Sequence, residues 1–192
     1  VTVAIPQCEY GQGVFTALPQ VLADELGADW RTVGVEQAPL NPLYANSLGW
    51  AELFPGVLPE RLERRWAMRN AVMLTGGSTS MRGFEAPLRA AGAGARALLC
   101  KAAARRWGVD WQECDTANGH VVHGQQRLRF GELAAEAAGE KVPDDLPFRE
   151  GETGRLTGTP APRLDGPGKV DGSANFAGDI RLPGMVFAAL RQ

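Results

Sequence analysis

Two short glycine-rich loops constrain this chain more than any other feature. Residues 9–16 read Glu-Tyr-Gly-Gln-Gly-Val-Phe-Thr, and residues 74–84 read Leu-Thr-Gly-Gly-Ser-Thr-Ser-Met-Arg-Gly-Phe. Each is followed by a helical pattern. Such a loop carries backbone N–H groups to a helix N-terminus, where the partial positive charge favours an anion. Two such cradles in 192 residues point to one ligand with several hydrogen-bonding groups and phosphates. The familiar phosphate motifs do not fit. The first loop has Thr16 where a dinucleotide fingerprint needs its third glycine, and no lysine follows Gly77-Ser78 as a P-loop requires. The loops offer the Gln12 amide, the hydroxyls of Ser78, Thr79 and Ser80, and backbone donors, with Arg82 as a nearby cation. That set suits an oxo or heterocyclic ligand better than a bare phosphate.

Three readings of these loops stand side by side. They hold a cofactor, they form a stand-alone nucleotide-binding module, or they are only turns in a structural or interaction domain. Composition narrows the field. Lys and Arg number 20 against 22 Asp and Glu, a balance that argues against non-specific nucleic-acid binding. No apolar run reaches the roughly 18 residues that span a bilayer. The three cysteines, Cys8, Cys100 and Cys114, show no C-x-x-C spacing, so neither a disulfide framework nor a metal centre is expected from them. His120 and His123 fall in a hairpin pattern, three apart, and are read as surface residues.

The pattern along the chain predicts α+β. A strand over 2–6 leads into the first loop. Helical spacing of Val14, Leu18, Val21, Leu22 and Leu26 follows, ending at Gly27. Pro19 is tolerated if that helix starts near Thr16 and kinks it if it starts at Gly13. A second strand is expected over 30–36. Residues 37–58 read as irregular and 59–71 as a short helix carrying Arg61, Arg64, Arg65 and Arg69, either a solvated face or a phosphate or partner contact. The longest helix is expected over 86–107, with a stripe of Leu88, Ala91, Ala95, Leu98, Leu99 and Ala102. Its small residues would let a neighbouring backbone approach closely. Strands over 113–117 and 120–122 are joined by the tight-turn pair Asn118-Gly119. A third strand over 126–130 and a short helix over 131–138 follow. Proline-rich 141–172 reads as a linker, and residues 173–192, with a strand over 185–190, as the start of a second domain. The chain begins at Val1 inside a strand pattern and is read as part of a longer protein.

The block Glu9-Tyr10-Gly11-Gln12-Gly13-Val14, with Thr16-Ala17-Leu18-Pro19-Gln20 behind it, resembles the Glu-Met-Gly-Gln-Gly-Val segment of molybdenum hydroxylase large subunits, the xanthine dehydrogenase and aldehyde oxidase family. Thr75-Gly76-Gly77-Ser78-Thr79-Ser80-Met81-Arg82 is similar to a second cofactor loop of those proteins. Pro162-Arg163-Leu164-Asp165, Lys169-Val170-Asp171-Gly172 and Asp179-Ile180-Arg181-Leu182-Pro183-Gly184-Met185 resemble the opening of their hammerhead-type domain. The order, loops before hammerhead opening, is similar to the branch of the isoquinoline 1-oxidoreductase beta subunits, which includes membrane-bound aldehyde dehydrogenase large subunits.

The resemblance implies a molybdopterin-binding-type domain over 1–140 and a molybdopterin cytosine dinucleotide whose own sulfurs hold molybdenum, so no protein residue is expected as a metal ligand. It implies that Gly11, Gln12 and Gly13 line the pterin near the metal's oxo ligands, and that Gly76, Gly77, Ser78, Thr79 and Ser80 hold the pterin or its phosphate tail. It further implies hydroxylation of an aldehyde or N-heterocycle carbon with water as oxygen source, an iron–sulfur small subunit as partner and a cytochrome c as a candidate electron acceptor. A periplasmic or membrane-associated location agrees with the resemblance. The family's catalytic glutamate lies in a Gly-x-Gly-Glu-type segment that these 192 residues lack, and Glu9 is not that base. Tyr10 also stands where methionine is common. The isolated chain is therefore expected to be inactive and to bind no cofactor tightly, and an open strand edge offers it a route to a homodimer.

Overall fold

The computed structural model describes residues 1–150 and 156–191. The expected linker residues 151–155 and the last residue of the expected second domain lie outside the described residues.

The chain opens with a β-α-β unit. Strand β1 (Thr2–Ile5) and strand β2 (Gly34–Gln37) pair in parallel, with Val3 opposite Val35. Helix α1 (Val14–Leu26) crosses between them. It begins one residue past Gly13, whose φ of 88° belongs to the left-handed region that glycine enters freely. Pro19 therefore sits inside the helix and removes the bond that its N–H would make to the Phe15 carbonyl. Gly27 ends the helix with φ 72° for two reasons. It adopts the left-handed cap, and a Cβ there would stand 2.6 Å from the Thr116 carbonyl oxygen. The expected second strand is shorter than predicted, because Trp30–Thr32 form a 3-10 turn capped by the Asp29 side chain.

The stretch read as irregular contains a helix. Helix α2 (Ser47–Leu53) is capped by Asn46, and Trp50 stacks at 3.9 Å between ring centroids on Trp66 of helix α3 (Glu60–Arg69). Helix α4 runs from Thr79 to Trp107, 29 residues. It starts two turns earlier than its apolar stripe suggests, at Thr79 rather than residue 86, with Gly83 and Pro87 inside it. Leu88, Leu99 and Ala102 of the stripe are buried, Ala95 and Leu98 pack on the core's margin, and Ala91 is exposed. The small residues allow the expected close approach. A Cβ on Gly92 would meet the Leu22 carbonyl oxygen of α1 at 2.7 Å.

Strands β3 (Asp115–Ala117), β4 (His120–His123) and β5 (Gln126–Arg129) form an antiparallel meander. Asn118 (φ 47°) and Gly119 (φ 76°) supply its first turn. Helix α5 (Phe130–Ala137) returns to α4 and buries Leu133 completely. Both histidines lie on β4, where His123 meets Glu113 at 3.3 Å. Among the described residues the architecture is a mixture of helices and two small sheets around one core, compatible with α+β.

The proline-rich stretch is irregular yet docked. The Arg149 guanidinium donates to the Asp115 carboxylate, and the Arg149 backbone N–H donates to Glu25 at 2.8 Å. Glu25 is almost fully buried and also receives Arg89 and Arg96 of α4. Leu156 and Leu164 pack against the core. Helix α6 (Gly166–Asp171) follows. Residues 185–190, expected as a strand, carry no secondary structure, and Val186, Phe187 and Leu190 are exposed. An apolar run becomes a strand only when another backbone takes its hydrogen bonds, and none among the described residues does so here. Among the described residues no helix is long and apolar enough to cross a membrane.

Candidate functional site

The two glycine loops stand on one hydrogen-bonded base. Just past β1, the fully buried Gln7 donates from Nε2 to the Leu74 carbonyl at 3.2 Å, and its Oε1 accepts from the Ser80 hydroxyl at 2.8 Å. The next residue, Cys8, donates its N–H to the Thr75 hydroxyl at 2.8 Å. Buried Asn46 completes the base. Its Nδ2 reaches the Leu74 carbonyl and the Thr79 hydroxyl, both at 2.8 Å, while its Oδ1 caps α2. Gln7 and Asn46 do not stand out in the sequence. Asn46 carries a faint signal as the helix-capping residue of Asn-Ser-Leu-Gly, but Gln7 bonds across 67 positions and leaves no local trace.

Within the first loop, Gly11 and Gly13 take φ of 117° and 88°, which only glycine tolerates well. The anion that their N–H groups meet is the chain's own Glu9. Its Oε1 accepts from Gly11 at 2.7 Å and Gly13 at 3.1 Å, and its Oε2 accepts from Phe15 at 3.0 Å. An external anion on those donors, as the loop sequence suggests, would have to displace a carboxylate already in place. Partial burial pushes the Glu9 carboxyl up, but the three backbone donors outweigh it and hold its pKa below the usual value. The Gln12 amide spans the loop, accepting from Tyr10 N–H at 2.8 Å and donating to the Cys8 carbonyl at 2.7 Å. Gln12 and Tyr10 are exposed at its tip.

A distant segment closes over this loop. Arg163 donates to Glu9 at 3.1 Å and to the Gly11 carbonyl at 3.2 Å, Leu164 N–H donates to Thr16, and Lys169 stands 3.7 Å from Glu9. Asp165 balances both cations. Its hydrogen bond to Arg163 and the neighbouring Lys169 bring its carboxyl down to about 2.

The second loop is left more open. Gly77 and Ser78 both lie in the left-handed region, and both are exposed. For serine that conformation is strained. Ser78 precedes α4, whose N-terminus has no side-chain cap and no acidic residue in its first turn. Unfilled N–H groups there carry the positive end of the helix dipole. The Thr79 hydroxyl is committed, donating to the Gly76 carbonyl at 2.7 Å while accepting from Asn46. Ser80 is committed to Gln7. Arg82 pairs with Glu52 at 2.7 Å on the surface. The outward-facing chemistry is therefore the Gln12 amide edge on one loop and Gly77 with Ser78 on the other.

Among the described residues no three His, Cys, Asp or Glu side chains gather closely enough to hold a metal. The cysteines are free, and burial pushes the Cys100 thiol up to about 12, which leaves it a packing residue rather than a nucleophile.

No protein-family model matches the chain. Individual relatives do. It is 32% identical to the beta subunit of isoquinoline 1-oxidoreductase from Brevundimonas diminuta, over 98% of this chain and 26% of that protein. It is 28% identical to the membrane-bound aldehyde dehydrogenase [pyrroloquinoline-quinone] of Gluconacetobacter polyoxogenes, over 97% of this chain and 22% of that protein. It is 31% identical to a nicotinate dehydrogenase subunit of Pseudomonas putida, over 93% of this chain and 13% of that protein. The chain thus spans about a quarter, or less, of the length of the curated relatives it matches. These three relatives are all molybdenum hydroxylase large subunits, and nearly the whole of this chain is similar to a stretch of each.

Proposed function

We propose that this chain is the part of a molybdenum-dependent oxidoreductase that offers two loops to a molybdopterin cofactor. The observation that carries this reading is the shared base: Gln7, Cys8 and Asn46 hold both loops together across the fold. The donor sets fit such a group in different ways. At the second loop, the uncapped start of a 29-residue helix beside exposed Gly77 and Ser78 suits a phosphate or a pterin edge. Here Gly76, Thr79 and Ser80 are scaffold, since their polar groups bond to one another, to Asn46 and to Gln7. At the first loop, Gly11 and Gly13 supply shape and Gln12 supplies the amide, while Glu9 keeps the loop folded from within.

When bound, the cofactor would supply the redox chemistry, hydroxylation of an aldehyde or N-heterocycle carbon with oxygen from water. The residues of this chain bind and orient. Gln12 is held at both amide atoms, so it presents one fixed edge and reorganises little on binding. The catalytic glutamate would come from a segment outside these residues. Electrons would leave through an iron–sulfur small subunit. Two of the relatives are themselves named as subunits. In this reading the 192 residues alone have no turnover.

The test uses the full-length large subunit purified with its partner. Gln12→Ala, which removes an amide hydrogen bond, and Gly77→Asp, which sets a carboxylate against the proposed anion site, should each lower molybdenum content and dye reduction by about tenfold. Unchanged molybdenum loading and activity in both would overturn the proposal in favour of glycine turns alone. Full activity from residues 1–192 would overturn the partial-site reading. The name of the Gluconacetobacter relative carries pyrroloquinoline quinone instead. Identifying the organic group extracted from the full-length protein decides between that quinone and a pterin bearing a cytosine nucleotide.

A further inference from the structure

A cavity of about 630 Å³ runs along β1 on the side away from β2. Its floor is apolar, with Val3, Leu22, Phe84 and Leu88, and its mouth is marked by Met68 and Arg64 of α3. What distinguishes it from an ordinary cleft is the backbone that lines it. In a parallel ladder, alternate residues turn both N–H and C=O to the same neighbour. The carbonyls of Val1 and Ile5 accept from Gly34 at 2.8 Å and Ala38 at 2.9 Å on the β2 side. Val3 shares their parity. Thr2 and Ala4 therefore point their N–H and C=O groups the other way, and both line the cavity. Among the described residues no hydrogen bond is made to that edge.

A two-stranded parallel sheet whose β1 edge lies bare over an apolar floor is an unfinished sheet. Parallel strands are normally covered on both faces and continued at their edges. A small molecule would fill the floor but not satisfy a row of alternating donors and acceptors, whereas an extended backbone does both. The shared stretch is only 26% of the Brevundimonas relative, so a protein of that length has ample chain to supply such a segment. Arg64 is exposed and forms no ion pair among the described residues. We infer that the Thr2–Ile5 edge is a strand-docking seam, filled in the full-length subunit by an extended apolar segment from elsewhere in the same polypeptide that carries an acidic side chain opposite Arg64.

Residue-resolved hydrogen exchange on the full-length subunit tests it. The Thr2 and Ala4 amides should exchange at least about 100-fold more slowly than an unprotected chain, in step with Val3 and Ile5 and independently of protein concentration. Arg64→Glu should speed exchange at Thr2 and Ala4 by about tenfold while leaving Val3 and Ile5 unchanged. Free exchange at Thr2 and Ala4 beside protected Val3 and Ile5 would overturn the seam. Protection that rises with concentration, together with a dimer by light scattering, would overturn the intramolecular occupant in favour of a second copy. No response to Arg64→Glu would overturn the acidic contact. None of these readouts requires cofactor, so a failure of the molybdenum reading leaves them intact.

Discussion

Replacing Glu9 by glutamine removes the carboxylate around which the first glycine loop folds. Glutamine can keep one acceptor oxygen for Gly11 and Gly13, but its NH2 then faces the Phe15 N–H that Oε2 accepts at 3.0 Å. It also loses the charge that Arg163 meets at 3.1 Å. One charge-assisted bond lost and one donor set against a donor amount to about 1–3 kcal/mol, the lower end applying because water reaches the exposed loop tip. The pH dependence gives the sharper signature. The folded carboxyl titrates below its ordinary value of 4.5, so its stabilisation is fully present above that pH and is lost as pH falls through the lower folded value. Urea unfolding of the wild type and Glu9→Gln at neutral pH should differ by the stated amount, and the gap should close progressively below about pH 4.5. A gap under about 0.5 kcal/mol, or one that stays constant with pH, would refute the view that Glu9 is the loop's internal anion.

Further consequences can be measured the same way. Gly92→Val should cost about 2 kcal/mol in thermal or urea unfolding, because a Cβ 2.7 Å from the Leu22 carbonyl forces α1 and α4 apart and exceeds the gain in helix propensity. Asn46→Ala should cost about 1–3 kcal/mol, since it strands the buried Gly49 N–H and removes one of the two donors to the Leu74 carbonyl and the donor to the Thr79 hydroxyl. Its amide exchange should speed first at residues 74–80. Asp165→Asn should flatten the acid limb of the stability curve. The carboxyl sits at about 2 against 3.8, so about 1–2 kcal/mol, after allowance for nearby solvent, is present above pH 3.8 and lost as pH falls towards 2.

Much of the scaffold can be read from the sequence where a local constraint speaks. Gly11, Gly13, Gly27 and the Asn118-Gly119 pair occupy backbone conformations that few other residues accept, so each turn announces itself. The Gly- and Ala-rich helix signals a close neighbour, and Gly92 is where that neighbour touches. What escapes a local reading is decided by distant partners. The seven-residue α2 has little propensity of its own and stands because Trp50 finds Trp66. The first two turns of α4 lie ahead of the apolar stripe that marks the helix in the sequence, and they form with the support of the rest of a long helix. Residues 185–190 have the apolar pattern of a strand but no backbone to pair with among the described residues. For the site, both loops are evident as loops, whereas their joint base is not, because buried Gln7 and Asn46 look like ordinary polar residues until their partners arrive. Nor does the motif reveal that Glu9 folds back onto Gly11 and Gly13.

The grip of Arg163 on Glu9 has a consequence for biosynthesis. The two residues lie 154 positions apart. At a ribosomal speed of about 5–20 residues per second, the arginine emerges about 8–30 s after the glutamate. Throughout that interval the nascent loop relies on its own three amides, and its final clamp closes only when the later stretch of polypeptide folds back.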